Sequence, residues 1–197
     1  MQAGLVPMEK VQEFSADIYR ESRRLLELVN DIIKLSRLDE GGDKLELQRV
    51  ELHALVENVL ANLESVAEKC HVTLSLTGGA AYVTGVPALL SEMLYNLCDN
   101  AIKYNVDGGS VRVDIAQSTA ETVLTVSDTG IGIPYAHQSR VFERFYRVDK
   151  SHSKAVGGTG LGLSIVKHAA QYHNARLELK SAVGKGTEIR IHFPPAP

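Results

Sequence analysis

Residues 91–105 read SEMLYNLCDNAIKYN. Leu94, Leu97 and Ala101, with Leu90 and Met93 beside them, recur at the three-and-four spacing that gives a helix one apolar stripe. Glu92, Asn96, Asn100 and Lys103 follow at steps of 4, 4 and 3 on the adjoining face. Pro87 is a favoured first-turn residue, so the helix is expected from Pro87 to about Tyr104. Asn is a poor helix former and solubilises a surface no better than Glu or Lys, so two of them on one face need a reason. Neutral amide oxygens can ligate a hard cation such as Mg²⁺ without repelling a triphosphate that the metal also holds. Lys103, one turn on, is placed to meet a phosphate.

Around this helix the chain reads as an α+β sandwich with a largely antiparallel sheet and helices on one face. On the N-terminal side, residues 43–50 alternate as a strand, 52–69 form a helix with Leu55, Val56, Val59, Leu60 and Leu63 on one face, and 72–76 and 81–84 are short strands. On the C-terminal side, 111–116 and 121–127 have hairpin spacing, a glycine-opened helix lies within 157–171, and 176–179 and 187–193 are strands. Further upstream, residues 8–38 contain no Gly or Pro, and Val11, Phe14, Ile18, Leu25, Leu28, Ile32 and Leu35 form a heptad seam interrupted only at Glu21. Such a seam predicts a coiled-coil-like helix that needs a partner helix. Gly41-Gly42 ends it and marks a domain boundary, giving 1–41 and 42–197.

Composition removes several classes of function. The chain has 197 residues, 44% apolar and 23% charged, in the range of a globular protein with a sizeable core. A formal net charge of -3 without a basic run argues against a nucleic-acid partner. The two cysteines, Cys70 and Cys98, lack metal or redox spacing and are expected to be reduced thiols. No stretch has the length of a membrane span, so no direct membrane contact is expected of this chain.

Two glycine-rich segments extend the chemistry of the asparagine face. Val123–Val126 runs as a strand into SDTGIGIP, residues 127–134, and Gly130 and Gly132 let backbone approach a flat ligand that the Asp128 carboxylate can hydrogen-bond. GGTGLGLS, residues 157–164, opens a helix, whose N-terminal N–H groups favour an anion. Between them Arg140, Arg144, Arg147, Lys150 and Lys154 stand beside Phe142, Phe145 and Tyr146, a composition suited to a mobile lid over phosphates.

The ordered set of Asn-bearing helix, DTGIGI, FERFYRVD, GGTGLGLSIVK and GKGTEIRIHFP resembles the catalytic ATP-binding domain of bacterial sensor histidine kinases, with its N, G1, F and G2 boxes. ELVNDIIKLSRLDEG, before it, resembles the second helix of that family's dimerisation and phosphotransfer hairpin. The resemblance implies the two-layer α/β sandwich shared with topoisomerase and chaperone ATPases, preceded by the long helix. It implies ATP and Mg²⁺ as cofactors, with Asn96 and Asn100 coordinating the metal and Glu92 assisting transfer. Lys103 and Tyr104 would line the phosphate and adenine sides. Asp128 would accept from the adenine amino group, with Gly130, Gly132 and Ile133 about it and Thr187 nearby. Gly158, Thr159, Gly160, Leu161, Gly162 and Leu163 would flank the triphosphate, and Arg144 and Arg147 would touch the γ-phosphate.

One departure stands against these matches. The family phosphorylates a histidine in a segment of the type His-Glu-Leu-Arg-Thr-Pro, and none of His53, His71, His137, His152, His168, His173 and His192 lies in such a segment. Each reads as a surface or capping histidine, and the chain reads as a truncated piece without the phosphoacceptor that should not label itself. In the intact protein the resemblance implies a homodimer through the helical hairpin, a response regulator as phosphoryl acceptor, and a cytoplasmic position in a membrane-anchored sensor. Two other readings use the same site: a superfamily ATPase in which Glu92 activates water, and a nucleotide-binding scaffold without kinase activity.

Overall fold

The computed structural model describes residues 8–39, 45–148 and 159–195. The glycine- and proline-free stretch forms one helix, α1, Met8–Asp39. Val11, Phe14, Ile18, Leu25 and Ile32 of its seam are exposed, whereas Leu28 packs on Leu161 and Ile165. The Gly41-Gly42 boundary, like Met1–Leu5, falls outside the described residues.

The rest of the chain runs β1 (Gln48–Glu51), α2 (Leu52–Lys69), β2 (Thr73–Gly78), β3 (Tyr82–Gly85), α3 (Pro87–Lys103), β4 (Ser110–Gln117), β5 (Thr122–Asp128), α4 (Tyr135–Gln138), α5 (Gly162–Tyr172), β6 (Arg176–Ser181) and β7 (Thr187–Phe193). α2 starts where expected because Glu51 caps it, its two carboxylate oxygens accepting from the N–H groups of His53 at 3.0 Å and Ala54 at 2.7 Å. β1 starts later than its alternation suggests, since residues 45–47 are not strand and 43–44 lie outside the described residues: it pairs with β3, which offers four residues, from Gln48 opposite Gly85 to Glu51 opposite Tyr82.

Five strands make the main sheet in the order β2-β4-β5-β7-β6, with β2 parallel to β4 and every other pair antiparallel. Period-2 alternation sends Val111, Val113, Ile115, Leu124, Val126, Ile189, Ile191 and Phe193 to one face, where they are buried. That face is covered by α2, α3 and α5 through Leu52, Val56, Leu63, Leu90, Met93, Leu94, Val166 and Ala169. The other face carries Arg112, Asp114, Thr125, Ser127, Glu188 and Arg190. Two layers follow, helices on one side and solvent on the other, as the sequence predicts. Cys98 lies on the buried side of α3, where burial pushes its thiol up to about 12, and Cys70 is exposed. Both are free thiols.

One polar group fastens the start of α3. His173 caps the C-terminus of α5 and is buried; its Nδ1–H donates to Ala169 O at 2.6 Å, and its Nε2 accepts from the Val86 N–H at 2.9 Å. Asn174 follows in the left-handed region, as the sequence anticipates for a helix end. Both bonds require a neutral ring, and burial, partly opposed by the Ala169 bond, lowers the His173 pKa below its ordinary value. A histidine depressed in the fold contributes stability above its unfolded pKa of about 6.5, and that contribution is lost as pH falls. The thermal midpoint is therefore expected to drop on acidification from pH 7 to 5. His173→Leu should cost about 1–3 kcal/mol at pH 8, because it strands the Val86 N–H, and should flatten the pH dependence. Parallel pH profiles for the two proteins, followed by circular dichroism, would contradict this.

Candidate functional site

The polar side of α3 meets the start of α5 at Asn96 and Asn100, and its C-terminal end meets the loop after β5 at Tyr104. An added Cβ at Gly162 would lie 2.8 Å from Asn96 Oδ1 and 3.6 Å from Asn100 Nδ2, so the first residue of α5 stands directly against both asparagines. Asn96 Nδ2 donates to Glu92 O at 2.9 Å, which fixes the amide so that Oδ1 is turned toward Gly162. The first-turn N–H groups of α5 have no partner within the helix, which makes this end receptive to an anion. Lys103 Nζ pairs with Asp99 Oδ2 at 2.6 Å, one turn back along α3.

Asp128, the last residue of β5, is held from two sides. Its Oδ1 accepts the Gly130 N–H at 2.8 Å and the Thr187 N–H at 3.1 Å. Oδ2 has no partner among the described residues. Burial pushes the carboxyl pKa up, and the two N–H donors pull it only partly back. The loop that follows is pressed onto neighbouring backbone. Ile131 N–H donates to Tyr104 O at 3.0 Å, and Gly132, at φ +69°, leaves no room for a side chain because a Cβ would lie 2.0 Å from Ala182 O.

Ser181, at the end of β6, ties this loop to the sheet. Its Oγ accepts from Ile133 N–H at 2.8 Å, donates to Gly186 O at 2.9 Å and lies 2.9 Å from Thr187 Oγ1. Gln138 Nε2 donates to both Ile133 O and Ser181 O, at 2.9 and 2.8 Å. The sequence reading missed Ser181 and Gln138. A serine at a strand end and a glutamine in a four-residue helix carry no local signal of such contacts.

The lid-like segment packs on the glycine segment. Phe145 adopts φ +62° and its N–H donates to Gly160 O at 2.9 Å, while the Arg147 side chain passes within 3.3 Å of where a Gly160 Cβ would be. Arg144 Nη2 lies 2.9 Å from His168 Nε2 on α5. Thr159 Oγ1 donates to Asp31 Oδ2 of α1 at 3.0 Å and accepts from Leu161 N–H at 3.2 Å. Leu161 is fully buried and Leu163 packs against the core, so these two present backbone rather than side chain to the site. Gly158, with Lys150 and Lys154, lies outside the described residues. No group of three or more His, Cys, Asp or Glu able to hold a metal occurs among the described residues. The amide oxygens of Asn96 and Asn100 fit a metal whose remaining ligands come from phosphates.

Residues 85–197 match the family model described as Histidine kinase-, DNA gyrase B-, and HSP90-like ATPase. The chain is 36% identical over 191 residues to the sensor-like histidine kinase SenX3 of Mycolicibacterium smegmatis, covering 96% of this chain and 50% of that protein. It is 36% identical over 178 residues to the phosphate regulon sensor protein PhoR of Pseudomonas aeruginosa, covering 90% of this chain and 40% of that protein. It therefore spans half or less of these two relatives. Among solved structures, full-length ShkA in complex with AMPPNP superposes with a TM-score of 0.79 at 25% identity, over 98% of this chain and 40% of that one. The mycobacterial sensor histidine kinase MprB superposes with a TM-score of 0.67 at 29% identity, over 77% of this chain and 99% of that one.

Ser181→Ala removes the acceptor of the Ile133 N–H and the donor to Gly186 O together. It is expected to lower the unfolding free energy by about 1–3 kcal/mol. The change should appear as a lower urea midpoint with an unchanged slope; an unchanged midpoint would show that the loop holds without it.

Proposed function

This chain belongs to the histidine kinase-, DNA gyrase B-, and HSP90-like ATPase family, its near relatives being sensor histidine kinases, and from that premise we propose that it holds Mg·ATP and presents the γ-phosphoryl group for transfer to a histidine. The observation that carries the reading is Asp128, with Oδ1 fastened by two backbone N–H groups and Oδ2 left to accept from an adenine amino group. Gly130, Gly132, Ile133 and Thr187 shape that end, and Tyr104 closes the adenine side. At the other end Asn96 and Asn100 would hold the metal with the phosphates, against the N-terminus of α5. The glycine segment, Gly158 to Leu163, would line the triphosphate with backbone.

Bound Mg²⁺ would supply charge neutralisation across the β- and γ-phosphates. The chain's own groups do the rest by position and charge. Lys103, shared with Asp99, would add positive charge on the phosphate side, Arg144 and Arg147 would meet the γ-phosphate, and Glu92 would assist at the reacting end of α3. In the intact protein the phosphoryl group would pass to a response regulator, the division of the chain falls at 1–41 and 42–197, and α1 would pair in a homodimeric helical bundle. The exposed seam of α1 supports that pairing. The parent protein would be a membrane-anchored sensor with this part in the cytoplasm. No helix among the described residues is long and apolar enough to cross a membrane. The hairpin-like helix holds no histidine, so the chain alone is expected to take no phosphoryl group from ATP.

Calorimetric titration with ADP and AMPPNP, with and without Mg²⁺, tests the site. Wild type should bind with help from magnesium. Asp128→Asn should weaken binding about tenfold or more, because an amide cannot accept both N–H groups at one end and the adenine amino group at the other without turning a donor on a donor. Equal affinity in the variant would remove Asp128 from the site. Steady ATP turnover lost in Glu92→Gln would favour the hydrolytic alternative.

A further inference from the structure

We propose, resting on the nucleotide reading above, that Asn105 is a positioning residue for base selection: its side-chain amide holds the turn after Asp128 against the end of α3 and so aims the Asp128 carboxylate. Asn105 follows the last turn of α3, and its amide is used at every donor and acceptor position. Nδ2 donates to Ala101 O at 3.0 Å and to Ser110 O at 3.1 Å. Oδ1 accepts from the Val106 N–H at 2.9 Å and from the Thr129 hydroxyl at 3.1 Å. Carbonyls only accept and a backbone N–H only donates, so the amide fits in one orientation.

Its partners lie on separate elements. Ala101 O belongs to the last turn of α3, where carbonyls lack a partner within the helix. Ser110 opens β4, and Thr129 follows Asp128, the last residue of β5. The β4–β5 ladder is paired up to Val111 and Asp128, and Thr129 carries it one step further. Its N–H donates to Ser110 O at 3.1 Å, and its Oγ1 accepts the Ser110 N–H at 2.8 Å. Asn105 Oδ1 is the nearer acceptor for the Thr129 hydroxyl, Ser110 O lying at 3.5 Å. Gly109 makes the space for this contact, since a Cβ there would lie 2.1 Å from Asn105 Oδ1 and 2.7 Å from Thr129 Oγ1.

Asp128 is thereby fixed along the chain on both sides. The ladder stands before it. After it, Thr129 is held by Asn105, and Gly130 is pressed so close to Tyr104 O that a Cβ would lie 2.3 Å away. The Gly130 and Thr187 N–H groups occupy Oδ1, so the direction of Oδ2 follows the backbone of this turn. A carboxylate oxygen selects a ligand that donates. Adenine carries an amino group where guanine carries a carbonyl oxygen, so turning the carboxylate changes the preference between the two bases. The residues proposed for the phosphates take no part in the Asn105 bonds.

The test is the ratio of GDP to ADP dissociation constants, with Mg²⁺ present, on the 197-residue chain. Wild type should favour ADP. Thr129→Val, which keeps the shape but not the hydroxyl, should reduce that ratio about fivefold, the worth of one ordinary hydrogen bond. Thr129→Ser, which keeps the hydroxyl, should retain it. Asn105→Asp sets a carboxylate oxygen against Ala101 O and Ser110 O and should reduce the ratio at least as far, with no further loss when combined with Thr129→Val. The ratio of ADP to AMPPNP dissociation constants should stay within about twofold in every variant, as expected where only the base end is disturbed. A role in folding alone would lower the thermal midpoint and weaken ADP and GDP alike. A GDP-to-ADP ratio unchanged in Thr129→Val or in Asn105→Asp therefore overturns this proposal alone, as do additive losses in the double variant. A wild type that binds neither nucleotide, or both equally, overturns the adenine reading and this proposal together.

Discussion

A side chain at Gly162 would occupy the space beside the Asn96 amide oxygen, so the missing Cβ leaves the start of α5 directly against the asparagine face of α3. The rest of the site is arranged around that approach. It places a helix N-terminus, whose first N–H groups point out of the helix, against two neutral amides on the polar face of another helix. It also sets the position of the glycine segment that Phe145 bonds through Gly160 O, and the turn of α5 from which His168 reaches Arg144. A side chain at 162 would displace the Asn96 amide, whose Oδ1 is the atom a Cβ would meet, and so disturb the asparagine pair.

The two ends of the site are built from opposite materials. Around Asp128 the contacts are backbone to backbone or backbone to a fixed carboxylate, closed by Ser181 and Gln138, and this part is pinned to the sheet at several points. At the end proposed for phosphates, Arg144 and Arg147 of the lid-like segment meet α5 and the glycine segment before it. Under the proposed function, rigid recognition of a planar base beside an adjustable grip on a flexible chain of phosphates would be a sensible division of labour for a protein that must retain a nucleotide and yet surrender part of it.

Much of this was legible in the sequence because it depends on local periodicity. α2 and α3 begin at the expected residues, the first on its Glu51 cap and the second on Pro87. The step of 4, 4 and 3 put Asn96 and Asn100 on the face where Gly162 meets them. What escaped reading depends on pairs distant in sequence: Ser181 with Ile133, and His168 with Arg144. A histidine on a helix surface looks solvated until another element is laid across it. Lys103 is a different case, since Asp99 at i-4 was visible as a helical ion-pair partner and the phosphate reading passed over it. Within the expected strand at 43–50, residues 45–47 are not strand and 43–44 lie outside the described residues, because strand length is set by the partner as well as by the alternating pattern.

The strand order also governs how the molecule assembles. β4 and β5 are neighbours in sequence and in the sheet, as are β6 and β7, so each pair closes over a short turn. The central seam, β5 against β7, joins the two pairs only after residues 129–175 have been looped out, and that span holds α4 and α5. Chain entropy makes this the late step, with local hairpins forming ahead of long-range pairing. The Thr187 bond to Asp128 spans that seam, so the Asp128 end of the proposed site is completed only when the two halves of the sheet zip together. Completion of the proposed base-binding end and completion of the sheet are thus one event in the history of the folding chain.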